Sequence, residues 1–434
     1  MRTLFILLSI FFLSLQIFAQ KYTVSGGTGS PYSYGENLTG TNIEQVYLLN
    51  GLTNASITYS SSAVSVVFYK YQRSQADRQQ IPDSDISISS FNNNTTYTIT
   101  KVDDDYGYFA EVNGKAEDAV WIIDYNLHKA ALNSIKPDEA SDQCENLKLL
   151  VEKTEDELSF YSKSGNKRNI LRKYTLSYDD MKWDEGKKEF VSDPYNRSSD
   201  IGTEVNISAP KKNTNFVLKG DQFAEHFNIA KQISASYDAV AVEGHIVFEK
   251  ENPAGTDDES AESIENSAPL TVSYSAKASD AVNFYTWYIY NENDMDNYIV
   301  RYTDQNIKYT FEQSGNFIVR LEVANTASAC ASDTTSVSLN MADWDLQVPN
   351  YFSPGGTTNT EFRVSYKSII KFKCTIFNRW GVKVYEWNDP EKGWDGRHNG
   401  RFVNTGVYYY VIEYTASDGK KRNKGGDINV LRKN

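Results

Sequence analysis

The side chains that could carry out acid–base or metal chemistry in this chain are few and widely separated. The densest group is Asp103, Asp104 and Asp105, but neighbouring residues on a strand point to opposite faces and so cannot form a catalytic pair. The four histidines occur singly, at His128, His226, His245 and His398. No His-Glu-x-x-His, Cys-x-x-Cys or Gly-x-Ser-x-Gly pattern and no phosphate-binding glycine loop is present. We therefore predict that the protein is not an enzyme and has no catalytic residues, bound cofactor or metal site.

Two acidic segments have the composition of a calcium site but not its spacing. Residues 251–266 contain six carboxylates among Pro, Gly and Ser, and residues 291–296 contain three. Neither has the Asp-x-Asp-x-Asp-Gly arrangement that wraps a calcium ion. Carboxylates that repel one another cannot bury a core, so we predict a solvated linker at 251–266 and a solvated turn at 291–296.

Aromatic side chains are the remaining candidates for binding. The chain has 30 Tyr and 21 Phe but only 4 Met. An exposed tyrosine ring can stack on a sugar, and the candidates are Tyr285, Tyr288, Tyr290, Tyr298 and Tyr302. Aromatic residues also fill the cores and edges of small sandwiches, which is the interpretation that we prefer at most of these positions.

The elements that must position these side chains are predicted to be strands almost throughout. Apolar and polar residues alternate with a period of two in many short segments separated by turn residues. Only Asp221–Gln232 is a candidate for a short helix. A length of 434 residues suggests three or four domains. The predicted fold class is all-β, with tandem immunoglobulin-like β-sandwich modules ending in a small C-terminal β-sandwich.

The net charge and the first residues indicate where the protein acts. A net charge of −13 argues against nucleic acid as a partner, because its phosphates would be repelled. Residues 1–19 combine a basic start, an apolar run and a small residue at position 19, which is the pattern of a cleaved secretory signal peptide. The apolar run is short for a bilayer span. We predict a soluble, exported protein.

The three cysteines, Cys144, Cys330 and Cys374, fall in three different predicted modules. Disulfides of small exported domains usually join cysteines of the same domain. We therefore predict no disulfide within a module and folds that depend on packing alone. Cys374 lies on the apolar face of its predicted strand and is expected to be a small buried hydrophobic residue.

Turn and linker composition divides the chain into modules. The predicted divisions are a signal peptide at 1–19, an immunoglobulin-like module at 20–128, a second sandwich at 142–250, an acidic linker at 251–266, a third module at 267–340 and a C-terminal domain at 348–434. Residues 129–142 are predicted to be a linker. Near the end of the first module, Asp105–Phe109 is similar to the tyrosine corner of immunoglobulin-like domains, with Phe109 in the tyrosine position.

The C-terminal domain has the strongest strand pattern in the chain. Lys371–Phe377 alternates, with Phe372, Cys374 and Ile376 on one face, and Val407–Tyr414 alternates over a longer span. Between them, Asn378–Gly381 has the composition of a hairpin turn, in which Gly381 can take a positive φ. The pattern predicts an antiparallel sandwich of short strands.

Two stretches resemble known families. The C-terminal domain resembles the type B sorting domain of the type IX secretion system, also called the gliding motility-associated C-terminal domain. The matching residues include Asn378, Arg379, Trp380, Gly381, Gly393, Trp394, Asp395, Gly396, Gly406, Tyr408 and Tyr410. Residues 269–340 resemble a PKD domain, an immunoglobulin-like sandwich, through Tyr309, Phe311, Gly315, Phe317, Val319, Leu321, Val323 and Asn325.

The resemblance implies export through the type IX secretion machinery to the cell surface or the extracellular space. It also implies a PorP/SprF-like outer-membrane protein as a partner. The favoured function is an adhesive or structural surface protein that is not an enzyme. The alternatives are a module that binds glycans or other surface proteins, and an accessory component of the secretion or gliding apparatus.

Overall fold

The computed structural model describes residues 21–251, 266–326 and 330–432. The predicted signal peptide at 1–19 and residues 252–265 of the predicted acidic linker lie outside this part of the chain. The described residues form 38 strands and one short α-helix, with 3-10 turns at Gln75–Asp77, Asp83–Asp85 and Tyr125–Leu127. The predicted all-β class is therefore confirmed.

The first domain packs a four-stranded sheet, of order β1-β4-β8-β7, against a larger sheet, β2-β3-β11-β9-β5-β6, with β10 beside β9. Its strands are β1 Tyr22–Ser25, β2 Tyr32–Tyr34, β3 Ile43–Leu49, β4 Ser56–Ser61, β5 Val66–Tyr71, β6 Gln79–Gln80, β7 Ile86–Phe91, β8 Asn94–Ile99, β9 Tyr106–Val112, β10 Lys115–Ala116 and β11 Ala119–Asp124. One core lies between the two sheets and includes Ile57, Tyr59, Phe68 and Ile122.

The tyrosine corner of the first domain is made by Tyr108 and not by Phe109 as predicted. The backbone N–H of Asp103 donates to the Tyr108 hydroxyl, with 2.7 Å between the nitrogen and the oxygen. Phe109 faces the other side of the sheet and packs in a second core. The prediction is wrong by one residue, because adjacent side chains on a strand face opposite sides.

The second domain begins at β12 and carries the only α-helix of the described chain. Its elements are β12 Ala131–Pro137, β13 Asn146–Thr154, β14 Leu158–Tyr161, β15 Lys167–Ile170, β16 Tyr174–Tyr178, β17 Met181–Asp184, β18 Glu189–Ser192, β19 Tyr195–Ser199, β20 Glu204–Ser208, β21 Thr214–Lys219, α1 Gln222–His226 and β22 Gln232–Tyr237. The predicted linker at 129–142 is therefore wrong in part. Strand β12 pairs with β13 and buries Ile135 in the core of this domain.

The first two domains share a hydrophobic core at their joint. Trp121 and Phe109, on the outer face of the larger first-domain sheet, pack with Phe160 of β14 and with Phe223 of α1. Trp121, Phe160 and Phe223 are all fully buried. Apolar area removed from water in this way contributes stability in proportion to that area, so the two domains form one packed body.

A buried ion pair lies within this joint. The Asp221 carboxylate accepts from the Arg172 guanidinium and from the Tyr125 hydroxyl, at 2.8 Å. It also caps α1 by accepting from the Ala224 backbone N–H at 2.9 Å. Burial, followed by the adjacent Asp221 carboxylate, raises the pKa of Tyr125 well above its ordinary value, which keeps the hydroxyl protonated as a donor.

The third domain begins earlier than predicted. Its strands are β23 Gly244–Glu251, β24 Leu270–Ala278, β25 Phe284–Asn291, β26 Asp294–Tyr302, β27 Asn306–Phe311, β28 Gly315–Ala324 and β29 Asp333–Met341. Strand β23 pairs antiparallel with β24 over its whole length, from Gly244 opposite Ala278 to Glu251 opposite Thr271. The predicted end of the second module at 250 is therefore wrong, and the acidic segment connects two paired strands of one sheet.

A disulfide joins the second and third domains. Cys144, just before β13, is bonded to Cys330, just before β29, with 5.5 Å between their Cα atoms. The prediction that packing alone holds these folds is wrong, because two modules were treated as separate although they meet in space. At the same junction, Trp183 of the β17–β18 hairpin stacks on His245 of β23, with 4.1 Å between ring centroids.

We predict that limited proteolysis will cut first within residues 252–265, whose acidic, Pro- and Gly-containing composition cannot bury a core. The two fragments should migrate as one band without reductant and as two bands with it, because Cys144 and Cys330 lie on opposite sides of the cut. Gel electrophoresis with and without reductant measures this. Two bands without reductant would contradict the disulfide, and a first cut elsewhere would contradict the composition argument.

The C-terminal domain is built on a five-stranded sheet of order β31-β38-β37-β33-β34. Its strands are β30 Asp345–Gln347, β31 Tyr351–Phe352, β32 Ser365–Lys367, β33 Ile369–Phe377, β34 Lys383–Trp387, β35 Arg397–His398, β36 Arg401–Phe402, β37 Gly406–Ala416 and β38 Lys421–Val430. One face of this sheet buries Cys374, Ile376 and Ile412 against Phe362 and Trp394. The prediction that Cys374 is a buried hydrophobic residue is confirmed.

Candidate functional site

Contacts with the third domain orient the C-terminal domain. The Ser368 hydroxyl, which is fully buried, donates to the Ala342 carbonyl at 2.6 Å and accepts from the Ala268 backbone N–H at 3.1 Å. The Ser417 backbone N–H, at the β37–β38 turn, donates to the Ser368 carbonyl. We call this the proximal end of the domain. The distal end is the opposite one, where β33 turns into β34, β37 begins and β38 finishes.

The turn Asn378–Val382 lies at the distal end and presents an exposed tryptophan. The Asn378 side-chain oxygen accepts from the backbone N–H groups of Trp380 and Val382, both at 3.0 Å. These bonds fix a turn in which Gly381 has a φ of +76°, as the sequence predicted. The Trp380 side chain is 73% exposed, and the Arg379 guanidinium lies 4.3 Å from its ring centroid.

The Gly393–Gly396 turn packs against one side of the domain core. Trp394 is fully buried, and its indole N–H donates to the Arg397 carbonyl at 2.9 Å. Its ring packs on Phe352 at 5.3 Å and on Tyr408 at 5.6 Å between centroids. A Cβ at Gly396, whose φ is +80°, would lie 2.6 Å from the Pro354 Cβ. Trp394 and Gly396 therefore hold this turn in one position.

Successive side chains of strand β37 point to opposite faces of the sheet. Tyr408 and Tyr410 face the core side, where the Tyr408 hydroxyl donates to the Asn404 carbonyl at 3.2 Å and Tyr410 is buried against Phe362. The alternate residues Val407, Tyr409 and Val411 are between 40% and 48% exposed on the outer face. Gly406 starts the strand with a φ of +148°.

A groove of about 600 Å³ runs beside β34, the edge strand of the sheet. The β35–β36 hairpin forms its other wall, with Asp395 and Arg397 paired at 3.4 Å. The His398 ring nitrogen Nδ1 lies 2.8 Å from the Val384 carbonyl, to which it donates. The groove is thus lined by side chains of opposite charge and by the polar backbone groups of the edge strand β34.

The eleven predicted motif residues form one neighbourhood. Asn378, Arg379, Trp380, Gly381 and Gly406 lie at the distal end, and Gly393, Trp394, Asp395, Gly396, Tyr408 and Tyr410 lie in or against the adjoining core. Sequence reasoning missed Phe362, whose backbone pairs with Trp394. It also missed Phe402, whose ring lies under the Arg397 and Arg432 guanidiniums. The only feature of the local sequence that could have identified these two residues is that they are aromatic.

The other predicted candidates do not assemble into a reactive site. His128 lies between Asp104 and Asp156, at 3.5 and 3.7 Å, in the joint of the first two domains. His226 lies in the same joint, where its ring contacts Tyr32, whereas His245 and His398 lie in other domains. Within residues 21–251, 266–326 and 330–432, no group of three or more His, Cys, Asp or Glu side chains is arranged to hold a metal ion.

The predicted tyrosines of the third domain have two different environments. Tyr285 and Tyr302 pack against the core of that domain. Tyr288 and Tyr298 lie together near Tyr290, with 5.5 Å between the first two ring centroids. Tyr298 is 53% exposed, and the guanidiniums of two arginines lie about the Tyr288 ring. Tyr288 and Tyr298 thus form a pair at the surface, beside the Tyr290 ring, which is only 8% exposed.

Two segments match models of known families. Residues 346–430 match the CHU_C type IX secretion signal domain, and residues 136–235 match a fibronectin type III domain. The predicted resemblance of the C-terminal domain is therefore confirmed, with a fibronectin type III domain ahead of it. A type IX secretion signal indicates export to the cell surface or extracellular space. No curated protein sequence matches the chain.

Several solved structures have some similarity to this chain. A tetra-tandem repeat from the extending region of a large adhesion protein is 11% identical, with a TM-score of 0.21, over 89% of this chain and 98% of that one. Immunoglobulin domains 1–5 of Sidekick-1 are 14% identical, with a TM-score of 0.26, over 87% and 77%. The FN1–FN3 domains of chicken CNTN1 are 10% identical, with a TM-score of 0.24, over 70% and 98%.

No helix in the described segments has both the length and the apolar character that a membrane crossing requires.

Proposed function

We propose that this chain, which carries a type IX secretion signal domain, is a non-enzymatic surface protein with an adhesive or structural role. The observation that carries the proposal is the C-terminal match at 346–430. Three sandwich domains precede it, joined by a shared core and by a disulfide. Such joints keep tandem domains in line, which suits a stalk that presents a surface away from the cell.

We further propose that the distal end of the C-terminal domain is what the secretion machinery recognises. Contacts of Ser368 with the third domain occupy part of the proximal end, so that part is not available to a partner while the chain is folded. The distal turn is fixed by Asn378 and exposes Trp380. A PorP/SprF-like outer-membrane protein is the proposed partner for this end.

Two glycines allow a matched test of this assignment. Gly381 in the distal turn and Gly419 in the proximal turn have φ values of +76° and +74°, and a Cβ at either would meet nothing within 4 Å. Replacing either with Val should cost about 1–2 kcal/mol, because a β-branched residue is strained at positive φ. The two variants should therefore be similarly destabilised, yet only Gly381→Val should lower the amount of protein on the cell surface.

Surface labelling of intact cells, together with thermal unfolding of the purified variants, measures both quantities. Equal surface amounts for the two variants at equal stability would contradict a distal recognition site. Export would then depend on the folded domain as a whole.

A second candidate function is glycan binding by the third domain. The pair of Tyr288 and Tyr298 favours it, because exposed rings near guanidiniums can stack on sugars while arginines donate hydrogen bonds to the sugar hydroxyls. A glycan array probed with the purified chain tests this function. Binding that is lost in Tyr298→Ala and kept in Tyr351→Ala would support glycan binding. If the array shows no bound glycan, the proposed structural role stands and glycan binding is contradicted.

Co-purification with outer-membrane proteins would instead favour an accessory role in the secretion or gliding apparatus.

A further inference from the structure

The C-terminal domain has the opposite charge to the rest of the chain. Residues 346–432 contain fourteen Lys and Arg against eight Asp and Glu, a surplus of six positive charges. The whole chain contains 44 Lys and Arg against 57 Asp and Glu, so the remainder has thirty against forty-nine. A cationic domain on an acidic protein favours association with an acidic surface through this domain alone.

Arginines predominate among the cations of the distal end, and lysines among those of the proximal end. The distal end carries Arg379, Arg397, Arg401 and Arg432 together with Lys383, which pairs with Glu386. The exposed lysines Lys371, Lys420 and Lys421 lie at the proximal end with Arg422, which pairs with Asp418. Within the described residues, Arg379, Arg401 and Arg432 have no carboxylate within ion-pair distance, and Arg397 pairs with Asp395. Arginine presents a planar fork that matches a carboxylate in a bidentate manner, which lysine cannot do.

These arginines surround exposed apolar side chains. The set comprises Tyr351, Trp380, Val382, Val407, Tyr409 and Leu431, each at least 43% exposed. Asp427, opposite Tyr409 in the register, is the acidic residue among them. Arg379 lies over the Trp380 ring and Arg432 over the Phe402 ring, at 4.3 and 5.2 Å. Such stacking holds the guanidiniums in place at little cost in side-chain entropy.

The composition of this end is that of a protein-binding surface. Tryptophan, tyrosine and arginine are enriched in the residues that dominate protein interfaces, whereas lysine is depleted there. No other part of the described chain covers the distal end. Its positive charge selects a partner of opposite sign, and its apolar centre requires apolar surface on that partner.

We propose that the distal arginines Arg379, Arg401 and Arg432 bind carboxylates on a partner protein whose surface is acidic around an apolar centre. This proposal rests on the proposed export function and states the chemistry of the surface that the domain meets. The apolar contacts supply affinity, and the arginines select the partner and its orientation.

The test compares two charge-reversed full-length chains in a host with a type IX secretion system. One carries Arg379→Glu, Arg401→Glu and Arg432→Glu, and the other carries Lys371→Glu, Lys420→Glu and Lys421→Glu, which changes the net charge equally. Because buried charge pairs at interfaces are costly to break, the arginine variant should show a drop of about tenfold or more in surface-labelled protein. The lysine variant should remain near the level of the unmodified chain. Circular dichroism of both purified variants checks that the domain is folded.

Three outcomes are decisive. Equal export of both variants, while a chain lacking the C-terminal domain is retained, would overturn this proposal and leave the proposed function standing. Surface display of the chain lacking the domain would overturn the proposed function itself. The third outcome uses co-sedimentation with phosphatidylcholine vesicles that contain phosphatidylglycerol. If the unmodified chain sediments with them and the arginine variant does not, the arginines bind lipid phosphates, and the protein partner is overturned.

Discussion

Replacing Asp221 with Ala should lower the free energy of unfolding of the first two domains by about 3–5 kcal/mol, the usual cost of leaving one member of a buried ion pair alone. Asp221 is fully buried and Arg172 is 5% exposed. The variant would leave the guanidinium with only the more distant Glu155 carboxylate, 3.8 Å from Arg172 Nε, and the Tyr125 hydroxyl without its acceptor. It would also remove the cap of α1.

The effect should be large compared with the total stability, which for a domain is about 5–15 kcal/mol. Urea unfolding of the purified chain, followed by tryptophan fluorescence, measures it, since Trp121 lies in the same joint. The matched control is Asp193→Ala, which removes a pair with Lys182 in which both side chains are at least half exposed. An exposed pair of this kind contributes little to stability, because solvent and salt screen it.

A double variant separates the ion pair from the surrounding packing. Asp221→Leu combined with Arg172→Met should be less destabilising than Asp221→Ala alone, because no uncompensated charge stays buried. If Asp221→Ala cost no more than Asp193→Ala, the joint would depend on its apolar core and not on the ion pair.

The alternation of residues predicted much of the fold, because a half-buried strand leaves a local signal. Val407–Tyr414 was predicted from its period of two and lies within β37. The short helix expected within Asp221–Gln232 is α1, and its cap is the Asp221 side chain. In both cases the signal is contained within about ten residues of the chain.

The wrong predictions concern features of the structure that depend on residues far apart in the sequence. Strand β23 has an ordinary strand pattern, and nothing in it shows that it pairs with β24 instead of with the second domain. Likewise, Cys144 and Cys330 are 186 residues apart, and only the contact between their domains brings them together. Local pattern predicts elements well, but the partner of an element is decided by packing across the chain.

The sequence predicted which residues belong to the candidate site, but it did not predict which of them are exposed at the surface. Family resemblance selected Trp380 and Trp394, which differ completely in exposure, at 73% and 0%. Resemblance alone cannot tell the residue that stabilises the domain from the residue that is free to meet a partner. Arg401 and Arg432 belong to the distal end through the folding of β36 and β38, and neither was selected from the sequence as a site residue.

The most direct measurement of the central claim is the location of a chain that ends after Asp343. The third domain should still fold, because its buried core uses residues up to Met341. Surface labelling of intact cells and fractionation of the periplasm locate the full-length and shortened chains. Full-length protein should be on the surface, and the shortened chain should be folded in the periplasm with surface labelling no higher than that of a periplasmic marker. Surface display of the shortened chain at the full-length level would contradict the claim that residues 346–430 direct export.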